Sequence, residues 1–379
     1  MKSKKLLAVV LALSLAAVLF VGCGGTKTDT KNPGNANNSG NNNNDAAPPA
    51  TAAGKLGLGI VNSIAKSKDY VPAEGDQPEV LAAGQVDTAM AAVLFDADGK
   101  ILKVDIDNAQ TVVKFDAEMK VTNRDEVLKT KVEKGEEYGM KKASSIGKEW
   151  YEQIDELEKW MVGKTVAEVK ALKTKERDES HPAVPDVPEL TSLVTISVED
   201  YIAAVEKAWN NAVDVENADK LGLGQEISIA KSKDYAPAEG DNPEVLPAAQ
   251  VDTTIAATAF TADGKVAGVI IDTAQIVVNF DKDGKVTSDK TAPLKTKVEK
   301  GDEYGMKKVS TIGKEWYEQI AELQKWMVGK TVSEITGMKT KERDESHPAV
   351  PDVPELTSSV TINVSEYLAV VAEASQKAK

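Results

Sequence analysis

Apolar positions along this chain change their period partway through a unit that is then repeated. Val86 to Phe95 and Ile101 to Asp107 are rich in apolar and β-branched residues on either side of Asp96-Ala97-Asp98-Gly99-Lys100, which predicts a β-hairpin turning at the glycine. Thr111 to Phe115 predicts a further strand. Beyond it the spacing becomes helical. Trp150, Ile154, Leu157 and Met161 mark one face of a helix, and Asp200 to Ala212 predicts a second, amphipathic one. Between these helices runs Glu179 to Ser192, where three prolines hold the backbone extended and remove three amide donors. It leads into Val194-Thr195-Ile196, a short strand pattern.

The whole unit recurs. Leu56 to Gly59 reappears as Leu221 to Gly224, an offset of 165 residues that becomes 166 from Lys129 and Lys295 onward. Trp316, Ile320, Leu323 and Met327 repeat the helical stripe, Glu345 to Ser358 repeats the proline-rich approach, Val360-Thr361-Ile362 the strand pattern, and Glu366 to Ala374 the second helix. So long a period predicts two domains, 55–214 and 220–379, each of a size that can bury a core. With strands early and helices late in each unit, the predicted class is α+β, an antiparallel sheet packed with helices in each domain. The two copies match at about five residues in six between Lys129 and Ser192, and less well before it.

Ahead of the repeats the pattern is different. Lys2, Lys4 and Lys5 precede an apolar run from Leu6 to Val21 that ends at Gly22-Cys23, the arrangement of a secretory signal over residues 1–22. Cys23 is the single cysteine of 379 residues and resembles the lipidated cysteine of a bacterial lipobox; an uncleaved membrane helix is the alternative. Either places the repeats outside the cytoplasm, with a lipid bilayer as the anchor's partner. Residues 23–54 are the expected lipidated N-terminus and linker; from Thr26 to Gly54 the composition collapses to Asn, Gly, Ala, Pro, Thr and a few charges, expected to stay disordered and to span about 30 Å as a tether or plain spacer.

Composition narrows the chemistry. One cysteine allows neither an internal disulfide nor an iron–sulfur cluster nor a Cys-x-x-Cys-His haem site, and the two histidines, His181 and His347, fall one to a repeat. Electron handling would therefore need an organic cofactor. A formal charge of -14 disfavours nucleic acid. Asp96-Ala97-Asp98-Gly99 could begin a calcium loop, but Thr261 replaces Asp96 in the second copy. Leu56-Gly57-Leu58-Gly59 lacks the strand-to-helix context of a dinucleotide site.

Glu189-Leu190-Thr191-Ser192-Leu193-Val194-Thr195 and Glu355-Leu356-Thr357-Ser358-Ser359-Val360-Thr361 resemble the Asp-x-x-Ser/Thr-Gly-Ala-Thr signature of bacterial domains that carry FMN covalently on threonine. Glu stands for Asp, Leu193 or Ser359 for glycine, and Val194 or Val360 for alanine. With the leader and tether, nearly the full length resembles the PplA-type extracellular electron-transfer flavoproteins of Gram-positive bacteria. The resemblance implies two FMN groups, on Thr195 and Thr361, with Glu189, Ser192, Glu355 and Ser358 in the attachment motifs and Cys23 as the lipid anchor. It also implies an FMN transferase of the ApbE type, a membrane NADH dehydrogenase and quinone system as donor, and ferric iron or other external acceptors, the protein being a carrier rather than an enzyme. Met140, Trp160, Met306 and Trp326 have the side chains that suit a flavin ring. A second reading stays open, a cofactor-free surface lipoprotein that binds a ligand or wall component.

Overall fold

The computed structural model describes residues 54–379; the leader, Cys23 and the linker as far as residue 53 lie outside the described residues. Each repeat opens with three antiparallel strands: β1 (Gly54–Ser63), β2 (Ala83–Asp96) and β3 (Ile101–Lys114) in the first. The helical half follows with α1 (Lys131–Lys134), α2 (Trp150–Met161) and α3 (Val166–Lys170), then the two-residue pair β4 (Thr174–Lys175) and β5 (Val184–Pro185), then α4 (Glu199–Asn210) and β6 (Val213–Val215). The second repeat runs β7 (Lys220–Ser228), β8 (Ala248–Phe260), β9 (Val266–Asn279), α5 (Lys297–Lys300), α6 (Trp316–Met327), α7 (Val332–Thr336), β10 (Thr340–Lys341), β11 (Val350–Pro351) and α8 (Ser365–Lys377). The class is α+β, in two similar sheet-and-helix halves. Among the described residues no helix is long and apolar enough to cross a membrane.

The predicted hairpin forms as expected. Asp96 Oδ1 accepts from the amides of Asp98 and Lys100 at 2.9 and 2.8 Å, and Gly99 takes a φ of 84° that the turn requires. The strand expected at Thr111 to Phe115 is not separate. It is the far end of β3, which pairs with β2 from Ile101 to Lys114 and so is 14 residues long. The apolar stripe of α2, Trp150, Ile154, Leu157 and Met161, is fully buried. Leu-Gly-Leu-Gly has a packing role: a Cβ on Gly59 would overlap the Ala204 carbonyl oxygen, so the bare strand lets α4 lie directly on β1, and Gly224 does the same beneath Val370 of α8.

Why β2 reads as a nearly continuous apolar run is explained by its two neighbours. Val86, Met90, Ala92 and Leu94 face the second repeat's sheet, while Ala89, Ala91, Val93 and Phe95 face α2 and α4. A sheet covered on both sides buries every side chain, so alternation disappears. The layers run helices, sheet, sheet, helices, and the core between the sheets is built from both repeats. Phe115 and Phe280 meet there edge to face at 5.2 Å. The contacts are reciprocal in the manner of a two-fold dimer interface: Val286 N donates to Asp69 and Val121 N to Asp234, both at 2.9 Å, while Tyr70 N donates to Gly284 O and Tyr235 N to Met119 O.

Val194-Thr195-Ile196 and Val360-Thr361-Ile362 are not strands. Val194 and Ile196 are buried with the alternation of a strand, but the intervening amide of Thr195 is taken by a side chain and no ladder forms. The segment is an irregular approach to α4, held by Val198 N donating to Ala183 O at 3.1 Å.

Candidate functional site

The first turn of α2 sets the site. Glu149 caps the helix and also accepts from the amides of Met140 and Lys141 at 2.8 and 3.1 Å, which pins the 140–142 turn to the helix start. One turn in, Gln153 has no solvent exposure. Its Nε2 donates to Ser144 Oγ and Lys148 O, each at 3.3 Å, and its Oε1 accepts from both the amide and the hydroxyl of Thr195 at 2.8 and 3.2 Å. A single buried amide thus joins the threonine to the lysine-bearing 141–148 loop.

The proline-rich arm supplies the other side. Lys175 and Val184 pair across β4 and β5, and between them the chain folds tightly, with Ser180 N donating to Asp178 Oδ1 at 3.0 Å. Arg177 Nη1 donates to the Thr195 carbonyl at 2.8 Å. His181 Nδ1, 2.6 Å from Asp178 Oδ1, and the Arg177 guanidinium together hold the Asp178 carboxyl down to about 2. Thr195 itself is half-buried, and its hydroxyl is oriented by Gln153.

The second repeat reproduces this arrangement. Gln319 Oε1 accepts from Thr361 N and Oγ1 at 2.8 and 3.3 Å, Arg343 donates to Thr361 O at 2.8 Å, and His347 sits 2.6 Å from Asp344. Behind each site lies a lysine clasped by rings. Lys131 Nζ is 5.2 Å from the centroids of both Tyr138 and Trp150, and Lys297 Nζ lies 5.4 and 5.2 Å from Tyr304 and Trp316. Burial pushes both amines down to about 8. Trp150 Nε1 donates to Tyr201 OH at 3.2 Å, tying α2 to α4.

The residues expected at the site are only partly assembled. Met140 and Met306 lie half-buried in the turns pinned to the starts of α2 and α6. Trp160 and Trp326 lie elsewhere: Trp160 is about 10 Å further along the helix than Gln153, with the Lys164 ammonium 4.5 Å from its ring centroid, and Lys330 covers Trp326 at 4.6 Å. Glu189, Ser192, Glu355 and Ser358 are exposed, and the threonine hydrogen bonds go to Gln and Arg instead. Gln153 and Arg177 escape a reading of the motif because they lie 42 and 18 residues before the threonine. Their recurrence as Gln319 and Arg343 is the signal in the sequence that could have found them.

The phosphate end of FMN fits these residues. A half-buried threonine has its carbonyl held by an arginine, and the adjoining loop carries Lys141, Lys142 and Lys148, repeated as Lys307, Lys308 and Lys314. The start of α4 is less suited to a phosphate, since Glu199 and Asp200 in its first turn already supply the charge that a helix N-terminus favours. A cavity of about 550 Å³ elsewhere in the fold is lined by neither threonine.

No family model matches the chain, and no solved structure matches it. A stretch of 40 residues is 55% identical to chlorophenol reductase of Desulfitobacterium hafniense, covering 11% of this chain and 12% of that protein, so the similarity spans about an eighth of the relative's length.

Proposed function

We infer that this protein is a membrane-anchored extracellular electron carrier with FMN esterified to Thr195 and Thr361. The observation that carries the reading is the duplicated setting of the two threonines, each with its hydroxyl oriented by a buried glutamine and its carbonyl held by an arginine. Gln153 and Gln319 keep the hydroxyl in place for an ApbE-type FMN transferase: Oγ1 attacks the flavin-side phosphorus of a flavin adenine dinucleotide, the pyrophosphate bond breaks, AMP leaves, and the hydroxyl proton passes to a base of the transferase. After esterification the hydroxyl proton is gone, but the threonine amide still donates to the same glutamine oxygen, so the backbone geometry is retained. Arg177, Arg343 and the loop lysines offset the phosphodiester charge. The bound flavin would supply reversible electron uptake, which one cysteine and two histidines do not.

In this reading Cys23 holds the chain to the bilayer, and the protein passes electrons from a membrane NADH dehydrogenase and quinone donor to acceptors such as ferric iron. The name of the partial relative, a reductase, is compatible with redox work. The test is colour and turnover. Protein co-expressed with a flavin transferase should be yellow and, once reduced, should reduce ferric iron, and the Thr195→Ala, Thr361→Ala double variant should fold but do neither. A colourless wild type under these conditions would leave the cofactor-free surface lipoprotein in its place.

A further inference from the structure

The two repeats differ most sharply away from the threonines, in the space where the sheet of each meets the helix over it and the end of the other repeat. Across α2 and α6, twelve residues each, the sequences WYEQIDELEKWM and WYEQIAELQKWM differ only at Asp155/Ala321 and Glu158/Gln324. Both positions line this space. In the first repeat it is crowded and charged. Lys379 reaches across from the second repeat and places its ammonium 2.6 Å from Glu158 and 3.2 Å from Asp105, among Lys103, Asp155 and Lys377. What remains is two smaller cavities of about 380 and 460 Å³.

In the second repeat every one of those charges is gone. The counterparts of Lys103, Asp105 and Asp155 are Gly268, Ile270 and Ala321; those of Glu158, Lys377 and Lys379 are Gln324, Asn211 and Val213. The result is one continuous cavity of about 550 Å³, inside the range of roughly 300–1000 Å³ typical of small-molecule sites. Its walls are chiefly aliphatic, and Val213, Val298 and Val328 in its lining are 45%, 43% and 49% exposed. Three charged side chains remain in its lining, each with a partner: Asp272 accepts from Thr296 Oγ1 and the amides of Thr273 and Val298, Asp214 pairs with Lys55, and Lys325 pairs with Glu322 at 3.3 Å. Gln324 Oε1 accepts from Ile271 N at 2.6 Å, and its Nε2 has no hydrogen-bond partner among the described residues.

We propose that this cavity is a binding site for an uncharged, mostly apolar small molecule bearing a carbonyl oxygen, which accepts from Gln324 Nε2 while its apolar body lies against Val213, Val269, Ile320 and Val328. The charged groups of the lining are already paired within the protein and the hydrogen-bonding group left over is a neutral amide, which favours an uncharged ligand. The site is independent of the threonines and stands whether or not they carry flavin.

The experiment titrates the full-length protein with prodan, a neutral naphthalene ketone whose emission moves to the blue in apolar surroundings. Wild type should show saturable binding at one site. Ala321→Asp combined with Gln324→Glu, which restores the first-repeat residues, should weaken binding at least tenfold, and Ala321→Leu, which fills the space without adding charge, should do the same with an unchanged or higher melting temperature. The paired change Asp155→Ala with Glu158→Gln in the first repeat should leave prodan binding at wild-type strength. Absence of saturable binding to wild type, or wild-type affinity in either second-repeat variant, would overturn the proposal.

Discussion

Gln153 Oε1 accepts from both the amide and the hydroxyl of Thr195, at 2.8 and 3.2 Å, from a side chain with no solvent exposure. Removing it does two separable things. Gln153→Leu leaves the threonine amide without its acceptor, which costs about 1–3 kcal/mol and should appear as a lower denaturation midpoint. It also releases the hydroxyl, so flavin attachment at Thr195 should fall while attachment at Thr361 continues. Peptide mass spectrometry of each site after co-expression with the transferase checks both halves.

The Phe115 and Phe280 rings, 5.2 Å apart in the core between the sheets, make the repeats depend on each other. Phe115→Ala should destabilise by roughly 3–5 kcal/mol. Because that core is shared, calorimetry should show both repeats melting in one transition, before and after the substitution. Two resolved transitions, with only the first repeat's shifted, would contradict this.

Glu158 is held up to about 7 by burial, which outweighs the Lys379 ammonium 2.6 Å away. Between its ordinary value of 4.5 and about 7 the folded state therefore holds a proton that the unfolded chain has released. The stability contributed by this group is present below pH 4.5 and is lost as the pH rises through about 7. Glu158→Gln removes the dependence. Urea titrations at pH 4 and pH 8 should show the variant gaining on wild type by about 3 kcal/mol over that interval, whereas a constant difference would place the Glu158 carboxyl near its ordinary value.

What the sequence disclosed and what it withheld follow from the range of the interactions. The hairpin at Asp96 to Lys100 and the α2 stripe are local: a turn glycine and a helical period suffice to find them. Val86 to Phe95 was legible as a strand, but not the reason that both its faces are apolar, because that depends on a second sheet 165 residues away in sequence. Val194-Thr195-Ile196 shows how a local pattern misleads: its alternating burial is real, yet Gln153 captures the amide that a strand partner would need. The threonine could be singled out from its motif, whereas the arginine and glutamine that hold it lie 18 and 42 residues earlier, outside any local pattern.

Each threonine is expected to carry one flavin, and the intact mass of the protein reads that number. Mature protein co-expressed with an FMN transferase should gain two FMN additions. Thr195→Ala and Thr361→Ala should each remove one, and the double variant should show none. Two additions persisting in the double variant, or none on the wild type, would contradict the account.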